Sequence, residues 1–142
     1  MTRARWHGGF TQSQLQSYSG AMIGTFDVLV IDCPEPGLLA DFYAELLGWR
    51  KVTDDPSWAE IMSGPDDRPI IAFQQVENYS KPEWPGQEHP QQSHIDVRVD
   101  DLDEGERAAI AIGARPTGST TDTFRVFLDL AGHPFCLIRP ND

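Results

Sequence analysis

The sequence predicts an α+β fold built from two tandem βαβββ units, and three observations predict it. The hydrophobic period switches from two to 3.6 and back in the same order in each half of the 142-residue chain. Short stretches recur at matching places: LLGWRK (46–51) and AIGARP (111–116) close the helical runs, and AFQQV (72–76) and PFCLI (134–138) close the halves. A Pro-rich stretch without period, ENYSKPEWPGQEHPQQ (77–92), separates them. A repeated supersecondary unit buries one face against its copy, so the halves should pack pseudosymmetrically.

The first unit spans about 22–76. TFDVLVID (25–32) is β-branched and mostly apolar, as expected of a strand buried on both sides. In 38–48, Leu38, Leu39, Phe42, Leu46 and Leu47 fall at helical spacing. Pro36 suits the first turn of that helix, and Gly48 suits the position after its end. Strand-like runs follow at 49–53, 58–63 and 70–76, with GPDDRP (64–69) as a turn. The second unit spans about 93–140. HIDVRV (94–99) alternates Ile95, Val97 and Val99 with His94, Asp96 and Arg98, as in a half-buried strand. Asp101 and Glu104 predict a capped helix start, Leu102, Ala109, Ile110 and Ile112 its buried face, and Gly113 its end. Three more strands are expected at 114–117, 123–129 and 134–139. A ferredoxin-like domain would need one strand fewer in each half. Residues 1–21 are polar and aperiodic, and are expected to form a flexible tail before a single body over 22–142.

Charge narrows the partners. The formal net charge is −11, from 22 acidic and 11 basic side chains, which disfavours nucleic acid and anionic membrane surfaces. No apolar run reaches the ~18–20 residues of a membrane span. The N-terminus lacks the apolar core of a secretory signal, and Cys33 and Cys136 form neither a CxxC motif nor a disulfide framework. A cytoplasmic protein is the simplest expectation.

Several residues stand out chemically. His94 heads an alternating strand whose polar face also carries Asp96 and Arg98; as a general base or hydrogen-bond donor it would work near neutral pH. Asp27 interrupts an apolar run, and a buried carboxylate needs a partner, for which Arg98 and Arg125 are candidates. Those two arginines could instead meet a ligand carboxylate or phosphate, or lie on a solvated face. Trp58, which opens a strand, and Trp84, in the long connection, are the preferred aromatics for lining a ligand site. Cys136 reads first as a small apolar filler. No nucleophile triad, phosphate loop or dinucleotide fingerprint is present.

Four stretches taken together carry a family resemblance: DFYAELLGW, WPGQEHPQQSHIDVRVDDLD, IGARP and FRVFLDLAGHPFCLIRP. They resemble the vicinal oxygen chelate superfamily (glyoxalase I, bleomycin-resistance proteins, extradiol dioxygenases), and within it the actinobacterial glyoxalase-like branch. The resemblance covers about residues 22–140. It implies a mixed sheet curled into a cup with helices outside, and often a homodimer. It also implies metal ligands on the first and last strand of each unit. Matched to this chain, they fall on His94 and Gln74, on Cys136 where the family usually has Glu, and on Asp27 if Val28 pairs in register with Ile95. A divalent metal (Zn, Ni, Fe or Mn) held by these residues would support a lyase- or isomerase-type proton transfer, or dioxygenase-type chemistry, on a small molecule. The alternative implied by the same family is metal-free binding and sequestration of a small, antibiotic-type molecule.

Overall fold

The computed structural model describes residues 23–64 and 70–139. The expected tail 1–21, and most of the expected turn at 64–69, lie outside the described residues. The elements run β1 (Val28–Cys33), α1 (Pro36–Leu47), β2 (Arg50–Asp55), β3 (Trp58–Met62) and β4 (Ile70–Gln75) in the first unit. In the second they run β5 (Ile95–Arg98), α2 (Leu102–Ala111), β6 (Arg115–Thr120), β7 (Phe124–Leu128) and β8 (Pro134–Ile138). The βαβββ order thus occurs twice. Each unit forms one mixed four-stranded sheet, in the order β1-β4-β3-β2 and β5-β8-β7-β6, with its opening and closing strands parallel and adjacent.

The helices begin and end as local chemistry requires. Pro36 occupies the first turn of α1. The Asp101 carboxylate accepts from the Glu104 backbone N–H at 2.9 Å and so caps α2. Gly48 (φ 67°) and Gly113 (φ 107°) adopt backbone conformations closed to most side chains. They let Trp49 N–H reach the Ala44 carbonyl at 2.8 Å, and Ala114 N–H the Ala109 carbonyl at 3.0 Å. Both helices are thereby closed by the same bond at equivalent places. Pro116 lies in β6, an edge strand where a missing N–H is tolerated.

One face of each sheet carries the core. Alternation sends Phe135 and Leu137 of β8 inward, both buried, while Cys136 and Ile138 face the other way. Helix α1 covers β2, β3 and β4, and α2 lies against β7 and β8. Aromatic rings fill this core: Tyr43 stacks on Phe73 at 5.6 Å within the first unit, Phe127 on Phe135 at 5.6 Å within the second, and Phe42 of the first meets Phe135 of the second edge-on at 5.8 Å. The opening strand departs from expectation. Leu29 and Val30 are 40% and 38% exposed, so β1 is not covered on both faces. Its place at a sheet edge, not the centre, is the reason.

The polar junction centres on Asp129, the one fully buried charged residue among those described. Its Oδ1 accepts from the backbone N–H groups of Ala131 and His133, both at 2.9 Å. Its Oδ2 accepts from the Tyr43 hydroxyl and from His133 Nδ1, both at 2.8 Å. A carboxylate can only accept, so His133 carries a proton on Nδ1. His133 Nε2 lies 2.9 Å from the Asp32 carbonyl and 2.9 Å from the Tyr79 hydroxyl. Burial, and next the Asp129 charge, push the Tyr43 hydroxyl well above its ordinary pKa, which keeps it a donor. Through Tyr43, Asp32 and Tyr79, the second unit grips the helix and opening strand of the first and the connection between them.

Removing that acceptor orphans four donors. Asp129→Ala should lower unfolding free energy by about 3–5 kcal/mol, and Tyr43→Phe, which leaves three donors in place, by about 1–2 kcal/mol. Equilibrium urea unfolding measures both. A loss under about 1 kcal/mol for Asp129→Ala would show that the junction is dispensable.

Candidate functional site

The outward face of the second sheet builds a site. His94 stands one residue ahead of β5, so it shares a face with Asp96 two positions on. Asp96 is directly opposite Cys136 on β8, and Cys136 is opposite Val126 on β7. A row of side chains therefore crosses three strands. His94 Nε2 approaches Asp96 Oδ1 to 3.4 Å. Imidazole nitrogen, carboxylate oxygen and Cys136 Sγ all lie within 4.8 Å of one another.

This trio floors a cleft of about 780 Å³. Phe124, Val126, Pro134 and Ile138 form its sheet wall, and Glu83, Trp84, Pro85, Pro90 and Gln91 of the connection form its roof. A largely apolar hollow with a few converging polar groups is the usual form of a small-molecule site. A second cleft, of about 550 Å³, opens beside it against β1, and Pro90 and Gln91 line both. Val30, Asp32, Tyr79, His89 and His133 are among its walls.

The donor set suits a divalent metal of the zinc kind. A tetrahedron with bonds of about 2.1 Å has edges of about 3.4 Å, the separation of the His94 and Asp96 donor atoms. Nitrogen, carboxylate oxygen and thiolate sulfur are all zinc ligands, and three protein ligands leave a position for a ligand or water. The second thiol is different. Cys33 is fully buried, and burial, only partly offset by a backbone hydrogen bond at Glu35, pushes its pKa up to about 11. Cys33 is therefore an inert core residue.

The structure distributes the sequence-predicted residues unevenly. His94, Cys136 and Trp84 converge in the cleft. Gln74 and Trp58 lie opposite each other on the first sheet. There the Trp58 indole N–H donates to Glu60 at 2.9 Å and the Thr53 hydroxyl donates to its other oxygen at 2.7 Å. Arg98 is exposed and is not among the residues lining the cleft. Arg125 points to the helix side, where it pairs with Glu106 and Asp103 of α2 and donates to the Leu102 carbonyl at 3.2 Å. Strand alternation explains this, because Phe124 and Val126 on either side of it face the cleft.

Asp27 requires a correction of register. It is exposed and precedes β1, so it is neither a buried carboxylate nor a partner of Arg125. In the observed pairings Ile31 stands opposite Phe73, and Ile95 stands opposite Phe135. With Phe73 equivalent to Phe135, Ile31 and not Val28 corresponds to Ile95. The counterparts of His94, Asp96 and Cys136 are then Val30, Asp32 and Gln74. Asp96 itself was absent from the expected ligand set. Its signal was the period of two, which places every second residue after His94 on the same face.

Comparison with known proteins agrees with this architecture. Residues 28–138 match the glyoxalase-like domain family. No curated protein matches the chain. Among solved structures, the fosfomycin resistance protein FosX from Mesorhizobium loti is similar at 16% identity and a TM-score of 0.61, covering 84% of this chain and 94% of that one. A glyoxalase/bleomycin resistance protein/dioxygenase family enzyme from Burkholderia phytofirmans PsJN shares 16% identity at a TM-score of 0.58, covering 80% and 96%. TioX from Micromonospora sp. ML1 shares 21% identity at a TM-score of 0.55, covering 82% and 98%. With its duplicated βαβββ units and a family match over most of its length, the chain belongs to the glyoxalase-like domain family of the vicinal oxygen chelate superfamily.

Proposed function

We propose that this protein binds a small organic molecule in the cleft beneath Trp84, and that His94, Asp96 and Cys136 hold a divalent metal at its floor. One observation carries the reading: three metal-ligand donors of different chemistry converge at the base of a ligand-sized hollow. A bound zinc-like ion supplies Lewis-acid polarisation of a substrate oxygen, which suits lyase- or isomerase-type proton transfer next to a carbonyl. The residues around it orient and shield. Trp84, Phe124 and Ile138 exclude water from one side of the ligand, and the sheet fixes the spacing of Asp96 and Cys136. A fosfomycin resistance protein among the similar structures is consistent with small-molecule chemistry on this fold.

A second reading is metal-free sequestration. Val30 occupies the place in the first unit that His94 holds in the second, and it offers no donor atom. A site so reduced still keeps its apolar walls, which suffice for binding. We also propose a homodimer in a reducing cytoplasm. Ile23, Phe26, Leu29 and Val30 form a run of exposed apolar side chains into an edge strand, a surface that a second copy would cover. Among the described residues no helix is long and apolar enough to cross a membrane.

Elemental analysis should find about one zinc per chain after zinc loading, and His94→Ala or Cys136→Ser should reduce it at least about tenfold. Native alkylation followed by peptide mass analysis gives an independent readout. Cys136 should react in chelator and be protected by zinc, whereas Cys33 should stay unmodified in both. Absence of zinc together with unprotected Cys136 leaves only the metal-free reading. Sedimentation should show a dimer that Leu29→Lys converts to a folded monomer; a monomeric parent chain refutes the dimer.

A further inference from the structure

The charges around the cleft carry information about its ligand. Among the described residues, Glu83, His94 and Asp96 line it, and no Lys or Arg does. Arg125, between the cleft-lining Phe124 and Val126, is turned to the helix side and neutralised there by Glu106 and Asp103. If a divalent ion is bound, the Asp96 carboxylate and a Cys136 thiolate balance its charge, and the Glu83 charge stands in either state.

Glu83 is held in place. Its backbone N–H donates to the His89 carbonyl at 2.7 Å. Its carboxylate folds over Gly86, where a side-chain Cβ would sit only 3.2 Å from Glu83 Oε2. The Trp84 ring follows Glu83 in sequence and lines the same hollow.

We infer that the cleft selects an organic cation bearing N–H donors, a protonated amine or amidinium with an apolar body. Its charge and N–H donors meet the Glu83 carboxylate, and its body packs on Trp84 and Phe124. An aromatic face attracts such a cation, and the net charge of −11 raises its local concentration. With no metal bound, an anionic ligand meets only like charge there. This inference rests on the reading that the cleft is the ligand site.

The test uses the full chain in chelator, so that no metal captures a carboxylate, and three probes of one shape: benzamidinium, neutral benzamide and anionic benzoate. The readout is the NMR signal of the Trp84 indole N–H, assigned with Trp84→Phe. Benzamidinium should bind about fivefold or more tighter than benzamide, with salt weakening it, and benzoate should not shift the signal. Glu83→Gln should reduce benzamidinium to the affinity of benzamide. Equal binding of benzamide and benzamidinium, binding of benzoate, or an unchanged Glu83→Gln variant overturns the inference while leaving the cleft a ligand site. Failure of all three probes to move the Trp84 signal overturns both.

Discussion

The fold depends on one buried carboxylate. Two βαβββ units could each bury a face separately, but Asp129 fixes how they meet. Its two oxygens take four hydrogen bonds, two from the turn that leads into β8 and two from side chains at the junction. The Tyr43 hydroxyl ties it to the helix of the first unit, and His133 carries the link on to the Asp32 carbonyl. Desolvating a carboxylate is expensive, and only this degree of satisfaction makes it compatible with zero exposure. The arrangement also sets the turn: with its two backbone N–H groups bound to one oxygen, the segment 129–133 delivers Pro134 to the sheet in a fixed register. Cys136 then faces the cleft and Phe135 the core. The site geometry is therefore downstream of the junction.

The unequal chemistry of the two units follows from their sequences. On the second sheet, His94, Asp96 and Cys136 converge. On the first, the equivalent places hold Val30, Asp32 and Gln74, and the outward face instead presents Glu60 gripped by Trp58 and Thr53. Duplication has supplied the scaffold twice, whereas the donor trio occurs on one half of it. The connection 77–92 adds what neither sheet contains, a roof carrying Trp84, Glu83 and Gln91 over the trio.

Much of the fold was legible in the sequence because local signals agreed with tertiary packing. Helix ends at Gly48 and Gly113, the Asp101 cap and the alternation of 94–99 are all encoded within a few residues. The match of Phe73 with Phe135 anticipated two fully buried rings. The site was less legible. His94 and Cys136 were found because alternation and family position both favoured them, yet Asp27 was assigned through a register that only strand pairing fixes. Arg125 shows the same limit. Its residue type suited a ligand anion, but its face depends on whether 124 or 125 points inward, and it meets acids on α2 that lie 19 and 22 positions away. The exposure of β1 was hidden because an apolar run looks the same at the edge of a sheet as at its centre.

The pairing of strands has a kinetic meaning. No strand of one unit is hydrogen-bonded to a strand of the other among the described residues. Every ladder closes within about half of the chain, so the search for β pairing splits into two shorter searches. Each half can collapse on its own helix before its neighbour is complete, and an order of emergence from the ribosome suits such an arrangement. Docking then becomes the late event, in which a carboxylate already held by three donors of its own turn is stripped of water and gains its fourth, the Tyr43 hydroxyl, from the other unit.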